Sequence, residues 1–334
     1  MKQNRLFTDQ LIVITGAAGF IGSNLVRHLN DIGYSNLLLV DNLGHTDKWK
    51  NLVGKKFVDL ISIEEFFPYL QGREQEIEAF IHLGACTDTC ETDGDWVIEN
   101  NTRFSIALCE YAMTHEHRFI YASSAATYGD GSLGFVDDET KLESLRPKNL
   151  YAFSKHLFDL WLQREKLLDK VIGLKFFNVF GPNEDHKDTM TSIIYKMFHS
   201  YEKEKKIKLF KSTDSSLKDG DQKRDFVYVK DVVKMIANLL DESFHDVGGI
   251  YNIGSGSATT FNEMAKAFFF AIGQKEKIEY IPMPKEIEKH YQNYTCADMK
   301  KYLSLSKSKK LDCMDIKESV TDYVKNHLVL NERW

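Results

Sequence analysis

Tyr151 and Lys155, in Tyr-Ala-Phe-Ser-Lys, are of the types and at the spacing to move a proton to or from a hydroxyl. On a helix, residues four apart lie on one face. An ammonium beside a phenol favours the phenolate and lowers its pKa, which makes tyrosine a usable acid/base near neutrality. The same ammonium can hold ribose hydroxyls. Tyr-x-x-x-Lys arises by chance in many helices, so the pair needs support. Ser123-Ser124-Ala-Ala-Thr127-Tyr128-Gly129 supplies some, because it follows an apolar run at 119–123 that reads as a strand. A hydroxyl there, such as Ser124, can hydrogen-bond a carbonyl or alkoxide.

A third group lies near the start of the chain. Leu-Ile-Val-Ile-Thr-Gly-Ala-Ala-Gly-Phe-Ile-Gly covers residues 11–22 and places Gly16, Gly19 and Gly22 after an apolar run that ends at Thr15. Gly16 permits a tight turn, Gly19 lets main-chain N–H groups approach a pyrophosphate, and Gly22 lets the next helix pack closely on the strand. The helix N-terminus favours the anion. Asp41, 19 residues after Gly22, ends the next strand, where a carboxylate can bond an adenosine ribose. A glycine-rich turn without a ligand would need neither the flanking strand and helix nor the acid. Asp41 alone would repel a 2′-phosphate, and Asn42 and Lys48 could offset that, so the spacing leaves NAD and NADP both open.

The elements that must position these groups alternate. Apolar runs at 11–15, 37–40, 79–83, 119–123 and 171–176 read as buried strands of a parallel sheet. Helical patterns at 20–29, 96–114 and 151–167 lie between them. This βαβ order predicts an α/β, doubly wound Rossmann sheet in a domain over 1–183. After about Asn183 the strand candidates are sparser (207–210, 225–229, 250–253, 278–281), with helices at 190–201, 232–240 and 261–271. We read 184–334 as a smaller C-terminal substrate-binding domain, interleaved with the first, with 225–253 returning to the Rossmann domain.

Composition narrows the function. The 334 residues carry a formal net charge of −6, 43% hydrophobic and 28% charged residues, an ordinary globular balance. Without a basic block, nucleic acid is not an expected partner. The Lys runs at 203–208 and 307–310 read as solvated surface. The polar N-terminus and the lack of a long apolar stretch predict a cytoplasmic protein without a membrane partner. The cysteines, five in number, form no Cys-x-x-Cys pair, so neither a metal site nor a disulfide framework is expected.

Taken together, these segments resemble the extended short-chain dehydrogenase/reductase family over nearly the whole chain. Several are similar to the ADP-glyceromanno-heptose 6-epimerases within it: Asp41-Asn42-Leu43, His82-Leu-Gly-Ala-Cys86, Tyr121-Ala-Ser-Ser-Ala-Ala-Thr-Tyr-Gly129, Phe176-Phe-Asn-Val-Phe-Gly-Pro182, His186-Lys187-Asp-Thr-Met190, Lys223-Arg-Asp-Phe-Val-Tyr-Val229 and Tyr291-Gln-Asn-Tyr-Thr295. The His-Lys-x-x-Met segment discriminates best. The resemblance implies an isomerase that inverts the sixth heptose carbon of an ADP-activated sugar through a transient ketone, using tightly bound NADP. Two epimers need proton transfer from two orientations; by resemblance Tyr151 and Lys187 supply it, with Ser124 on the reacting oxygen. It implies cofactor contacts from Phe20, Ile21, Asp41, Asn42, Lys48, Leu83, Gly84, Ala85, Cys86, Thr87, Asn100, Lys155 and Val179, beside the three glycines. Substrate contacts would come from Asn178, Thr189, Lys196, Phe210, Lys211, Ser212, Thr213, Arg224 and Tyr291. Arg224 suits a diphosphate because its planar fork binds two oxygens. A homo-oligomer, often a pentamer, and a product feeding the lipopolysaccharide inner core are also implied.

Three positions depart from the family pattern: Leu83 stands where an acid is common, and Thr189 and Lys196 replace a Ser and a His. The polar stretch at 211–223 is longer than usual and reads as a mobile loop over the site or on the surface. A 4,6-dehydratase would need an acidic pair after the Ser-Ser strand end, where this chain has Ala125-Ala126-Thr127. The Lys187 segment argues against a UDP-hexose 4-epimerase. A non-catalytic dinucleotide-binding scaffold would not need Tyr151, Lys155 and Ser124 together. Lysine at 187 would serve as a base only if desolvation or a nearby cation lowered its pKa.

Overall fold

A computed structural model describes residues 10–240, 247–284, 291–305 and 312–334. β1 (Leu11–Thr15) runs through the glycine turn into α1 (Phe20–Asp31). β2 (Leu37–Val40), β3 (Asp59–Ile61), α2 (Ile63–Leu70), β4 (Ile77–His82), α3 (Gly94–Val97), α4 (Phe104–Thr114), β5 (Arg118–Ser124), α5 (Leu150–Arg164), β6 (Ile172–Phe176) and β7 (Asn178–Phe180) follow. Then come α6 (Ile193–Glu204), β8 (Ile207–Phe210), β9 (Lys223–Tyr228), α7 (Val229–Asn238), β10 (Gly249–Ile253), β11 (Ala258–Thr260), α8 (Phe261–Ala271), β12 (Ile278–Ile281), α9 (Lys300–Leu305) and α10 (Ile316–Asp322).

A seven-stranded parallel sheet has the order β10-β6-β5-β4-β1-β2-β3. The order reverses between β1 and β4, which opens a crevice at their carboxyl ends. Successive strand residues serve opposite faces. Ile12 and Ile14 pack with Leu25 and Val26 of α1 and Val233 and Ile236 of α7. Val13 packs with Phe80, Leu108 of α4 and Phe158 and Leu162 of α5. Burial on both faces is why the strands read as unbroken apolar runs. The fold is the expected Rossmann α/β sheet with a smaller C-terminal part. There β8 pairs with β12, and β9 lies between β7 and β11. β10 returns to the large sheet beside β6.

Several boundaries differ from expectation. The single helix at 96–114 is instead α3, a π-helical segment (Ile98–Arg103) that contains Asn101, and α4. The helix expected at 190–201 begins at Ile193, because Ser192 caps it through the Tyr195 N–H. The helix expected at 232–240 starts at Val229, directly after β9. α2 was not anticipated, although Ser62 and Glu65 form a capping box at its start. The Lys203–208 run lies mostly on the surface at the end of α6, and 307–310 falls outside the described residues. Among the described residues, no helix is long and apolar enough to cross a membrane.

Candidate active site

The floor of the crevice is glycine against glycine. Gly16 has φ +67°, and a Cβ there would come within 2.7 Å of the N and Cα of Gly84. A Cβ on Gly22 would lie 2.2 Å from the Gly16 carbonyl oxygen. These gaps leave main chain rather than side chain facing the crevice, a cradle that fits a dinucleotide pyrophosphate. A hydrogen-bonded chain fixes the approach. The Gly84 N–H donates to Thr15 Oγ1 (3.1 Å), Thr15 Oγ1 meets His82 Nδ1 (2.6 Å), and His82 Nε2 meets Ser105 Oγ (2.8 Å). Ser105 in turn donates to the Asn101 carbonyl at 2.5 Å. Burial pushes the His82 pKa down to about 3, so the ring is neutral. Since Ser105 donates onward, Nε2–H donates to Ser105 and Nδ1 accepts from Thr15, the one tautomer that satisfies every member.

Asp41 is buried at the end of β2. Its Oδ2 accepts the Ala18 N–H at 2.8 Å and its Oδ1 takes the Lys48 ammonium at 2.7 Å. Both oxygens are therefore already engaged within the protein. Asn42 is spent on structure, its amide donating to Glu64 and its carbonyl accepting the Ile63 N–H. In the facing loop, the side chain that grips the main chain is Asn101, the neighbour of the expected cofactor contact Asn100. Asn101 is fully buried, accepts the Cys86 N–H (2.8 Å) and donates to the Cys86 carbonyl (2.9 Å) and Ser154 (3.0 Å). Asn100 donates to Asn101. Leu83, Gly84, Ala85 and Cys86 are half-buried along this loop, and Thr87 is exposed.

Asn149 caps α5 and starts the helix one residue before Tyr151. Tyr151 and Ser124 come together: burial raises the phenol pKa, while the Ser124 hydroxyl, hydrogen-bonded to it, works the other way. Ser124 also accepts the Ala126 N–H at 3.1 Å. The expectation that Lys155 lowers the phenol pKa is not met. Lys155 is itself buried, its pKa is pushed down to about 8 by desolvation, and the opposing charge acting on it is Asp159, one turn on. Asp159 belongs to a buried cluster that sequence reading missed. It accepts from Tyr121 (2.8 Å) and Ser123 (2.9 Å) and pairs with Lys175 (3.2 Å). Lys175 donates to Thr127 at 2.5 Å, and Thr127 to the Ser124 carbonyl at 2.7 Å. The cluster thus braces the turn that carries Ser124.

Lys187 lies in a 3₁₀ segment (Asp185–Met190), its ammonium 5.2 Å from the centre of the Phe20 ring. Burial lowers its pKa, Glu184 opposes this, and Lys196 adds to it. The two conditions set for a basic lysine, desolvation and a neighbouring cation, are both present. Asp188 next to it has φ 47° and ψ −116°, a strained backbone for a residue with a Cβ. Thr189 is exposed beyond it, and Met190 Sδ accepts from Thr89 at 3.6 Å, so this loop meets the Cys86 loop.

Of the substrate candidates, Arg224 and Tyr291 are brought together, the guanidinium 4.9 Å from the ring centre. Arg224 is held by β9 and buried, and Asn178 on β7 accepts from Thr295 at 3.4 Å. Val179 pairs with Val227 of β9. Asp225, beside Arg224, was not singled out, yet it is fully buried. It accepts from Ser255, Gly256 and Ala297, tying two segments behind the Arg224 strand. Phe210 ends β8, and the main-chain N–H of Lys211 donates to the Ile281 carbonyl. Ser212 is used locally: its N–H donates to Asp219 and its hydroxyl to the Asp214 carbonyl. Thr213 is exposed. The 211–223 loop is tied to α8, because Asn262 donates to the Asp219 carbonyl and to Asp221.

Comparison with known proteins agrees with this geometry. Residues 12–254 match the NAD dependent epimerase/dehydratase family. An ADP-L-glycero-D-manno-heptose-6-epimerase of Nitratidesulfovibrio vulgaris is 43% identical over 320 residues, covering 95% of this chain and 98% of that one. One from Fusobacterium nucleatum is 39% identical over 336 residues, covering 97% and 100%. The crystal structure of the Helicobacter pylori ADP-L-glycero-D-manno-heptose-6-epimerase superposes with a TM-score of 0.77 at 26% identity, over 96% of each chain. With the glycine cradle suited to a nicotinamide dinucleotide, the chain belongs to the NAD dependent epimerase/dehydratase family, in the branch of the ADP-L-glycero-D-manno-heptose-6-epimerases.

Proposed function

We propose that this chain inverts the sixth heptose carbon of ADP-D-glycero-D-manno-heptose to give the L-glycero epimer. The observation that carries the reading is Lys187, a desolvated lysine over the Phe20 ring that follows the glycine turn, in addition to the Tyr151–Ser124 pair. One general acid/base suffices for a simple dehydrogenase. An epimerase must handle the hydroxyl proton from two faces, and two separate groups meet that need. When bound, an oxidised nicotinamide dinucleotide accepts hydride from the carbinol carbon and returns it, so the sugar undergoes no net oxidation. Around it Gly16, Gly19 and Gly22 admit the pyrophosphate, and Lys155 holds the nicotinamide ribose. Tyr151 or Lys187 takes the hydroxyl proton, and the other gives it back after the sugar has turned. Ser124 hydrogen-bonds the reacting oxygen. Arg224 takes the diphosphate. Residues 184–334 mainly bind the sugar nucleotide, with 225–253 returning to the dinucleotide domain.

The engaged state of Asp41 supports NADP. With the Lys48 ammonium on one oxygen and the Ala18 N–H on the other, the carboxylate is neutralised and occupied, which favours a 2′-phosphate over a ribose hydroxyl. The enzyme acts as a cytoplasmic homo-oligomer supplying heptose for lipopolysaccharide. Purified protein, given ADP-D-glycero-D-manno-heptose and no added cofactor, is expected to form the L-glycero epimer by NMR. Tyr151→Phe and Lys187→Met should each lower the rate by about 100-fold or more. Absence of conversion with NADP supplied would remove the heptose assignment.

A further inference from the structure

The loop that carries Lys187 is held by residues far from it in sequence. Arg333 Nε donates to Asn51 Oδ1 at 2.7 Å, and the same guanidinium pairs with Asp185. Asn51 is fully buried. Its amide N–H groups are shared between the Ala18 carbonyl (2.9 Å), the Asn183 carbonyl (3.3 Å) and His186 Nδ1 (3.3 Å). Ala18 belongs to the glycine turn, whereas Asn183 and His186 belong to the Lys187 loop. The next residue, Trp334, exchanges two hydrogen bonds with the Asn183 side chain, at 3.0 and 3.1 Å. Asn183 itself is left-handed, with φ +71°. On the other flank, buried Glu184 accepts from Ser192 and, at 2.9 Å, from Tyr323.

Two separate connections therefore run from this loop to one turn. Asn51 joins it to Ala18, and the Lys187 ammonium lies over Phe20, two residues further on. A backbone strained at Asp188 persists only where its surroundings over-determine it. Arg333 is suited to that task, since its planar fork engages Asn51 on the cofactor side and Asp185 on the loop side at once. Among the described residues, its side-chain hydrogen bonds and ion pair go to Asn51 and Asp185.

We propose that Arg333 is a positioning residue for Lys187: it locks the 183–188 loop onto Asn51 and so ties the acid/base loop to the dinucleotide turn. This rests on the reading of Lys187 as the second acid/base. Loss of the fork leaves Lys187 chemically intact but displaced, and a misplacement of about 1 Å can cost about 100-fold in rate.

The test uses the full chain with its bound dinucleotide. Arg333→Met is expected to lower kcat by about ten- to a hundredfold with KM for the nucleotide sugar within about twofold. The dinucleotide content per chain and the melting temperature should stay near those of the parent. Arg333→Lys, which keeps the charge but not the fork, should recover part of the loss. Asp185→Asn, a change at a partly exposed side chain, should lower kcat in the same direction. In a Lys187→Met background, Arg333→Met should cost no more than about twofold further, because the two act through one group. A kcat within about twofold of the parent in Arg333→Met overturns the proposal. So does an undiminished further loss in the Lys187→Met background, which would mark a purely structural role. If Lys187→Met keeps the parent rate, the two-base reading falls and takes this proposal with it. If Lys187→Met is inactive while Arg333→Met is unchanged, only the role of Arg333 falls.

Discussion

The glycine turn and the Lys187 loop touch each other, yet they are built in opposite ways. The turn is marked by glycines close in sequence and works by lacking side chains: Gly16 and Gly22 leave no room for a Cβ. The loop is held by residues gathered from Asn51, Tyr323 and Arg333, and it works by fastening distant side chains onto His186, Glu184 and Asp185, next to a strained Asp188. A site that must admit main chain to an anion can be written locally. A site that must keep a lysine desolvated needs walls, and the walls come from elsewhere in the chain.

The comparison can be broken from either side. The largest stability effect is expected behind the Tyr151 end, where Lys175→Met removes the ammonium in direct contact with buried Asp159. Breaking a buried pair in this way costs about 3–5 kcal/mol, to be read by denaturant unfolding. Gly22→Val comes next. Its Cβ would meet the Gly16 carbonyl oxygen, which is main chain and cannot swing away. The expected cost is about 1–3 kcal/mol together with loss of bound dinucleotide, measured by calorimetry and by the cofactor content of the purified chain.

A pH-dependent effect follows from Lys155. Folding lowers its pKa from 10.5 to about 8 through burial. Between those values the unfolded chain binds the extra proton, so stability rises with pH across that window. Below pH 8 the folded dinucleotide-free protein carries the full cost of the buried charge. Lys155→Met removes that cost, so the variant should be the more stable at neutral pH, and the gap should narrow from pH 8 to 10.5. The smallest effect is expected at the loop. Asp188→Gly puts glycine where φ is +47°. Strain relief and added unfolded-state entropy nearly cancel, so stability should change by about 1 kcal/mol at most. Activity should nevertheless fall as Lys187 loosens, which separates order in the loop from stability of the fold.

The same contrast explains what could be read from the residues alone. The sheet and glycine turn were legible because consecutive apolar runs and fixed glycine spacings are local properties. Tyr151 and Ser124 followed, since a helix start and a strand end bring them to one edge. Partnerships between distant side chains were not legible. Asn100 and Asn101 are alike on paper and share the π-helical segment, and only the folded chain shows that Asn101 holds Cys86. His82 sat unnoticed within a recognisable segment because its partners, Thr15 and Ser105, lie on other elements. The expected pull of Lys155 on the phenol failed because burial, which no spacing reveals, acts on both groups. Polar residues such as Ser212 and Asn42 looked available for ligands, whereas local turns and a helix start claim them.

The central proposal is that hydride leaves and returns to one carbon, with Tyr151 and Lys187 handling only the hydroxyl proton. Epimerisation of ADP-D-glycero-D-manno-heptose in deuterium oxide, followed by NMR and mass spectrometry, tests it most directly. The account predicts complete inversion at the sixth heptose carbon with no deuterium bound there. Deuterium on that carbon would show that the carbon itself is deprotonated to solvent, and would contradict the account.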